Sequence, residues 1–182
     1  MIRRLLVVAV ALAPAAWLVD RLLARSRLRD GQGVETLEML AVVDAPADRT
    51  WEVLADIPRQ AEWMREMKRV RVDTPGPVRV GTRAEALVRI LGITAADPVE
   101  VTTFEPPHRY AIRHLGLVSG RGEITLQPGA DGTTTIVRWE ERLGPPVLPA
   151  LGSVAAAPVL RSIFQADLHR FKRLVETGSA DA

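Results

Sequence analysis

Residues 145–177 read PPVLPALGSVAAAPVLRSIFQADLHRFKRLVET. From Leu160 onward, apolar residues recur at Leu160, Ile163, Phe164, Leu168, Phe171, Leu174 and Val175. Steps of three and four put them on one side of a helix. Arg161, Gln165, Arg170, Lys172, Arg173 and Glu176 take the other side, and Gly178 follows as a stop signal. Upstream the pattern thins to Leu148, Leu151 and Val154, then Ala155, Ala156, Ala157 and Pro158. The spacing predicts a long closing helix with a bulky half and a thin half. A sheet wrapped around it would leave a small-molecule pocket beside the thin half.

The chain before this helix reads mostly as strand. Val34 to Val43 alternates, with Leu37, Met39, Ala41 and Val43 on one face. Asp44-Ala-Pro ends it. A short helix starting at Ala47 or Asp48 carries Trp51, Leu54 and Ala55, and Ile57-Pro58 stops it. A second helix is expected over Arg59 to Met67, presenting Trp63 and Met67. Strands follow at Arg69–Asp73, Arg79–Ile90, Ala95–Phe104, His108–Leu115, Val118–Gln127 and Thr133–Arg142. Their connections are short, so consecutive strands should be antiparallel neighbours. The order is strand, two helices, six strands and one long helix.

Composition narrows the function classes. A hydrophobic content of 47% is ample for a core, and the chain has no cysteine, which excludes disulfides and thiolate metal sites. The sequence pI of 9.6 invites a nucleic-acid reading. Yet residues 1–31 hold six Arg and two Asp, a balance of +4, while the rest hold 18 basic and 20 acidic residues, or −2. The globular part has no basic footprint, so no nucleic acid is expected as a partner. The histidines at 108, 114 and 169 lack metal-ligand spacing. Gly116 to Gly122 precedes a strand rather than a helix, so no phosphate site is implied. No metal or cofactor is expected.

The N-terminal run from Leu5 to Val19, LLVVAVALAPAAWLV, is uncharged and flanked by Arg3-Arg4 and Asp20-Arg21. At the helical rise its length is about 22 Å, short of the roughly 30 Å hydrocarbon core. Leu22, Leu23 and Ala24 extend it if Arg21 snorkels. The first reading is a membrane anchor over residues 1–25, with a linker at 26–33 and the domain on the cytoplasmic side, because Arg21, Arg25, Arg27 and Arg29 outweigh Arg3 and Arg4. The alternatives are a signal peptide cleaved near Ala13-Pro14-Ala15, giving a secreted domain, and a docked amphipathic helix. Residues 178–182 read as a disordered tail.

Several strings resemble the START-like (SRPBCC) superfamily, in particular its polyketide cyclase/dehydrase-like branch. They are Val43-Asp-Ala-Pro-Ala-Asp-Arg-Thr-Trp51-Glu-Val-Leu54, Asp56-Ile-Pro-Arg-Gln-Ala-Glu-Trp63 and Phe104-Glu-Pro-Pro-His-Arg-Tyr110. Others are the Gly120/Gly122 pair with Ile124-Thr-Leu126, Gly132-Thr-Thr-Thr-Ile-Val-Arg-Trp139 and Leu168-His-Arg-Phe-Lys-Arg-Leu-Val-Glu176. The resemblance spans about residues 35–177. It implies an α+β helix-grip fold over 34–177, a curved antiparallel sheet of about seven strands (β-α-α-β6-α) wrapped around the C-terminal helix. Members of that superfamily hold lipids, hormones, polyketides or other apolar ligands between sheet and helix, and some are cyclases or hydratases.

Small residues on the expected inner walls, among them Ala84, Ala86, Gly120, Gly122 and Ala155, favour a cavity, though they also suit tight sheet–helix packing. The candidate ligand-binding set is Trp63, Ala84, Ala86, Tyr110, Ile112, His114, Trp139, Glu141, Leu151 and Ala155. His114 shares a strand face with Tyr110 and Ile112, and an imidazole can act as acid or base or simply hydrogen-bond a ligand. Glu141 shares a face with Val137 and Trp139 and is placed to orient it. His114, Glu141 and Tyr110 are therefore the catalytic candidates, with His114 weighed against a satisfied buried or rim histidine and Glu141 against a solvent-exposed strand-end charge. The expected function is a membrane-tethered protein binding an apolar small molecule or lipid. A cyclase/dehydrase-like enzyme in the same pocket is the alternative.

Overall fold

The computed structural model describes residues 17–20, 22, 35–90, 92–144 and 149–181, the side chains of 149–151 excepted. Strand β1 (Thr36–Val43) strictly alternates buried and outward residues, so Leu37, Met39, Ala41 and Val43 all enter the core. Pro46 precedes helix α1 (Ala47–Ala55), where the Thr50 hydroxyl donates back to the Pro46 carbonyl at 3.0 Å. Pro58 then fixes a single 3₁₀ turn (Ile57–Arg59) before the short helix α2 (Gln60–Trp63). The remaining strands are β2 (Met67–Val72), β3 (Arg83–Ile90), β4 (Ile93–Glu105), β5 (Arg109–Leu115), β6 (Ser119–Pro128) and β7 (Thr135–Gly144). Helix α3 (Pro149–Thr177) closes the chain. The seven strands form one antiparallel sheet in the order β1-β7-β6-β5-β4-β3-β2. This is the helix-grip arrangement.

Two local expectations are corrected. The second helix stops at Trp63 rather than reaching Met67, because α3 takes over the backbone groups a longer helix would use. Arg170 Nε donates to the Trp63 carbonyl at 3.0 Å, and Asp167 Oδ1 accepts the Arg65 amide at 3.2 Å. Strand β3 starts at Arg83 rather than Arg79, since a turn intervenes: the Thr82 amide donates to the Arg79 carbonyl, and Gly81 sits at φ +85°, where a side chain would be strained.

Helix α3 lies along β1 and β7, with Phe164, Leu168, Phe171, Leu174 and Val175 buried. Its polar side also has structural work. β1 is an edge strand, and its outward backbone groups are met by α3 side chains. Gln165 accepts from the Leu40 amide at 3.3 Å and donates to its carbonyl at 3.0 Å. Lys172 Nζ donates to the Val42 carbonyl, and Glu176 accepts from the Asp44 amide, each at 2.6 Å. An edge covered this way is denied to other chains. Gln165→Ala should cost about 1 kcal/mol in urea unfolding and raise concentration-dependent self-association. A variant that is unchanged in both would show that the edge needs no such cover.

The tail is ordered rather than disordered over its described residues: Ala180 is buried, and its carbonyl accepts from Arg173 Nε and Nη2 at 3.2 and 3.1 Å. The membrane-anchored placement is corrected too. Among the described residues no helix is long and apolar enough to cross a membrane. Of the segment 1–25, only Trp17–Asp20 and Leu22 are described, as helix, and Asp20 there is fully buried. The remainder of the anchor or signal reading, and the linker 26–33, lie outside the described residues.

Candidate functional site

Alternation brings Tyr110, Ile112 and His114 of β5 to the inner face of the sheet, but only His114 enters a polar cluster. Its Nδ1 lies 2.8 Å from Asp97 Oδ2 on β4, and its Nε2 lies 3.2 Å from Glu141 Oε1 on β7. The second Glu141 oxygen accepts the Trp139 indole N–H at 3.0 Å. Glu141 is buried, and the His114 side chain is only 13% exposed.

The bond from His114 to Glu141 is unusual in reach, because β6 runs between their strands. Strands two apart are separated by about 10 Å, so the side chains must meet over the top of β6. Glycines make this possible. Gly120 pairs with His114, and Gly122 pairs with both Ile112 and Glu141. A Cβ at Gly122 would come within 2.5 Å of Glu141 Oε2, and one at Gly120 within 2.0 Å of the Arg142 carbonyl. The glycines that read as thin pocket wall are the clearing across which imidazole and carboxylate join.

Electrostatics follow from that geometry. Burial alone would push the His114 pKa down. The hydrogen bonds to Asp97 and Glu141, with their charges, outweigh it and hold the imidazole up to about 10. Near neutral pH His114 is therefore an imidazolium, with both N–H groups given to carboxylates. Neither nitrogen has a lone pair free to take a proton. The remaining hydrogen-bonding capacity of the cluster is Asp97 Oδ1, which is buried with no partner among the described residues.

The other candidate residues separate into groups. Tyr110 lies four residues from His114 along the strand, about 13 Å, and packs against Trp51 and Phe104 at ring distances of 6.5 and 6.3 Å. Burial drives its pKa up to about 12, against a hydrogen bond from Gln60. It belongs to the packing under α1. Trp63 is core, with its ring 6.0 Å from Trp139 and 5.0 Å from Phe171. Ala84 and Ala86 are buried on the inner face, where Ala86 pairs with Asp97 and Ala84 with Val99. Ile112 is half-buried beside Gly122. Ala155 is exposed on α3, as is Val154; Ser153 and Ala157 are the buried residues of that stretch. The Leu151 side chain lies outside the described residues.

Asp97 is the residue that sequence reasoning missed. Its signal was present: counting back by two from buried Val101 through Val99 reaches Asp97, so the carboxylate shares their inward parity.

Because α3 is held on the β1–β7 side, a cleft of about 440 Å³ remains between it and the β2–β3 edge. Ile90 of β3 faces Ile163 and Ala166 of α3 across it. A second hollow, about 300 Å³, lies on the other face of β2–β4 beside Arg69, Arg71 and Leu87.

Together these features define a helix-grip domain with a polar cluster on its gripping face. The chain belongs to the family described as polyketide cyclase/dehydrase and lipid transport, whose profile matches residues 35–176. No curated protein sequence matches it. Among solved structures, a protein of Deinococcus radiodurans is 24% identical, covering 79% of this chain and 98% of that one, with a TM-score of 0.59. The Zhui aromatase/cyclase from Streptomyces sp. R1128 is 21% identical over 79% of this chain and 97% of that one, with a TM-score of 0.60. A conserved protein from Geobacillus kaustophilus is 17% identical over 78% and 95%, with a TM-score of 0.63. At these identities the likeness is one of fold.

Proposed function

We propose that the domain binds an apolar small molecule or lipid between its sheet and α3. The observation that carries this is the uneven grip of the helix. It covers β1 and β7 and leaves a cleft open at the β2–β3 edge, with Ile90 on the sheet side and Ile163 on the helix side. Apolar walls with a few fixed polar groups suit such ligands. The Asp97–His114–Glu141 cluster is the fixed polar element of this reading, with Asp97 Oδ1 a buried acceptor that has no partner among the described residues. The family description, which names lipid transport beside cyclases, supports the same reading.

The cluster also supports a second reading, a cyclase- or dehydrase-like enzyme. An imidazolium in a buried site can serve as a general acid once one carboxylate releases it. His114 would then be the donor, with Glu141 setting its orientation, and Tyr110 would stay outside the chemistry.

The test uses the full chain and the neutral fluorophore 1-aminoanthracene. The protein should bind it with enhanced emission, and Ala86→Phe or Ile163→Trp should weaken binding at least about tenfold, an amount set by losing one side chain's worth of apolar contact. Thermal unfolding checks that each variant still folds. Unweakened binding in both folded variants would place the ligand elsewhere.

A further inference from the structure

The cleft between α3 and the β2–β3 edge has an apolar floor and a cationic lip. Ile90, Ile163 and Ala166 form the floor. Arg65, Lys68, Arg89 and Arg170 line the same space. This concentration is unexpected in a domain whose residues beyond 31 carry a net −2.

The cations are also poorly compensated. Arg170 pairs with the fully buried Asp167, and Lys68 Nζ donates to the Arg65 carbonyl at 2.9 Å. The side chains of Arg65 and Arg89 make no hydrogen bond or ion pair among the described residues. Burial first, and then the like charge of Arg65, pull the Arg170 pKa down. Glu66 is the acidic lining residue, 8% exposed, and its Oε2 has no partner among the described residues. Burial chiefly raises its pKa, so it holds a proton more readily than an exposed carboxyl and offsets the guanidinium charge less. A site of repelling guanidiniums above an apolar floor is complementary to an anion on an apolar body.

We infer that the cleft selects amphiphiles ending in an anionic group, a carboxylate or a phosphate monoester. Arg65 and Arg89 hold the anion, and the apolar chain passes Ile90, Ile163 and Ala166 toward the inner face. This rests on the pocket reading above and adds the charge of the ligand. Arg170 acts indirectly: committed to Asp167 and the Trp63 carbonyl, it contributes field rather than a free donor fork.

The experiment compares cis-parinaric acid with its uncharged methyl ester by fluorescence on the full chain, with dodecanoate and dodecyl phosphate as competing displacers. The acid should bind at least about tenfold more tightly than the ester, the scale of one charge-assisted contact. That preference should shrink at high salt and vanish in the Arg65→Gln/Arg89→Gln double variant, whose exposed substitutions should leave thermal unfolding unchanged. The two displacers then separate a carboxylate site from a phosphate site. Equal binding of acid and ester would overturn this inference and leave the pocket reading standing. Binding of neither would overturn both. A preference that survives in the double variant would remove it from this cleft.

Discussion

Raising the pH from about 6.5 to about 10 should lower the unfolding free energy of this domain, on the order of 3 kcal/mol over the window. The sign follows from proton binding. The folded-state pKa of His114 is raised to about 10 from an ordinary 6.5, so between those values the native state holds a proton that the unfolded chain has released. Stability from that proton is complete below pH 6.5, is lost as pH rises through 10, and changes no further above it. The magnitude is below the full pKa difference because the ring is partly solvated and Asp97 sits nearer water than Glu141. Urea unfolding at a series of pH values reads the effect directly. His114→Gln should flatten the slope and lower stability at neutral pH, since two inward carboxylates would lose their shared cation. If the variant keeps the wild-type slope, the imidazolium is not the titrating group, and the cluster is not the fixed polar element of the gripping face.

That cluster marks where the sequence stops being sufficient. The strands were legible because each has one wet face. β1 and β7 alternate so cleanly that Leu37 to Val43 and Thr135 to Glu141 could be assigned to the core residue by residue. The closing helix was legible in its bulky half for the same reason, with period 3.6 in place of two. Its thin half was not. Around Val154 to Ala157 most positions are small or apolar whichever way they point, so the phase that exposes Ala155 and buries Ala157 is set by how α3 seats on β1.

The site needed tertiary information of another kind. Alternation correctly put His114 and Glu141 on one face, but it put Tyr110 there as well, and a shared face is not a shared place. What joins His114 to Glu141 is the register of two successive hairpins, which brings Gly120 and Gly122 under the line between them. Similarly, the end of α2 is decided by Asp167 and Arg170, more than 100 residues downstream. No local propensity at Met64 records that. The cationic lip was invisible for a related reason. Arg65, Arg89 and Arg170 lie in three separate segments, and a count over the domain averages them away against its acids.

Trp63→Ala should be a severely damaging core substitution, costing about 4 kcal/mol in urea unfolding. The expectation rests on what the indole joins. Trp63 ends α2, its ring meets Trp139 of β7 edge-on at 6.0 Å and Phe171 of α3 at 5.0 Å, and it is 1% exposed. Trp139 in turn stacks against Phe164 of α3 at 5.1 Å and donates its N–H to Glu141. Removing Trp63 therefore opens a void where a short helix, the sheet and the gripping helix meet, and its neighbours are pinned. Trp139 is held by its hydrogen bond, and the Trp63 backbone by Arg170. A site that cannot collapse keeps its cavity, which puts the cost at the upper part of the large-to-small range. Trp63→Phe should cost much less, about 1 to 2 kcal/mol, because the Trp63 N–H has no hydrogen-bond partner among the described residues to lose. The pair distinguishes packing from polarity at this position. Two equally severe losses would mean that the indole nitrogen does engage a partner. A loss below about 1 kcal/mol for the alanine variant would mean that α2 is not integral to the grip. In that case the cleft lip carried by Arg65 and Lys68, which hangs from the end of α2, would not be rigid enough to choose between an acid and its ester.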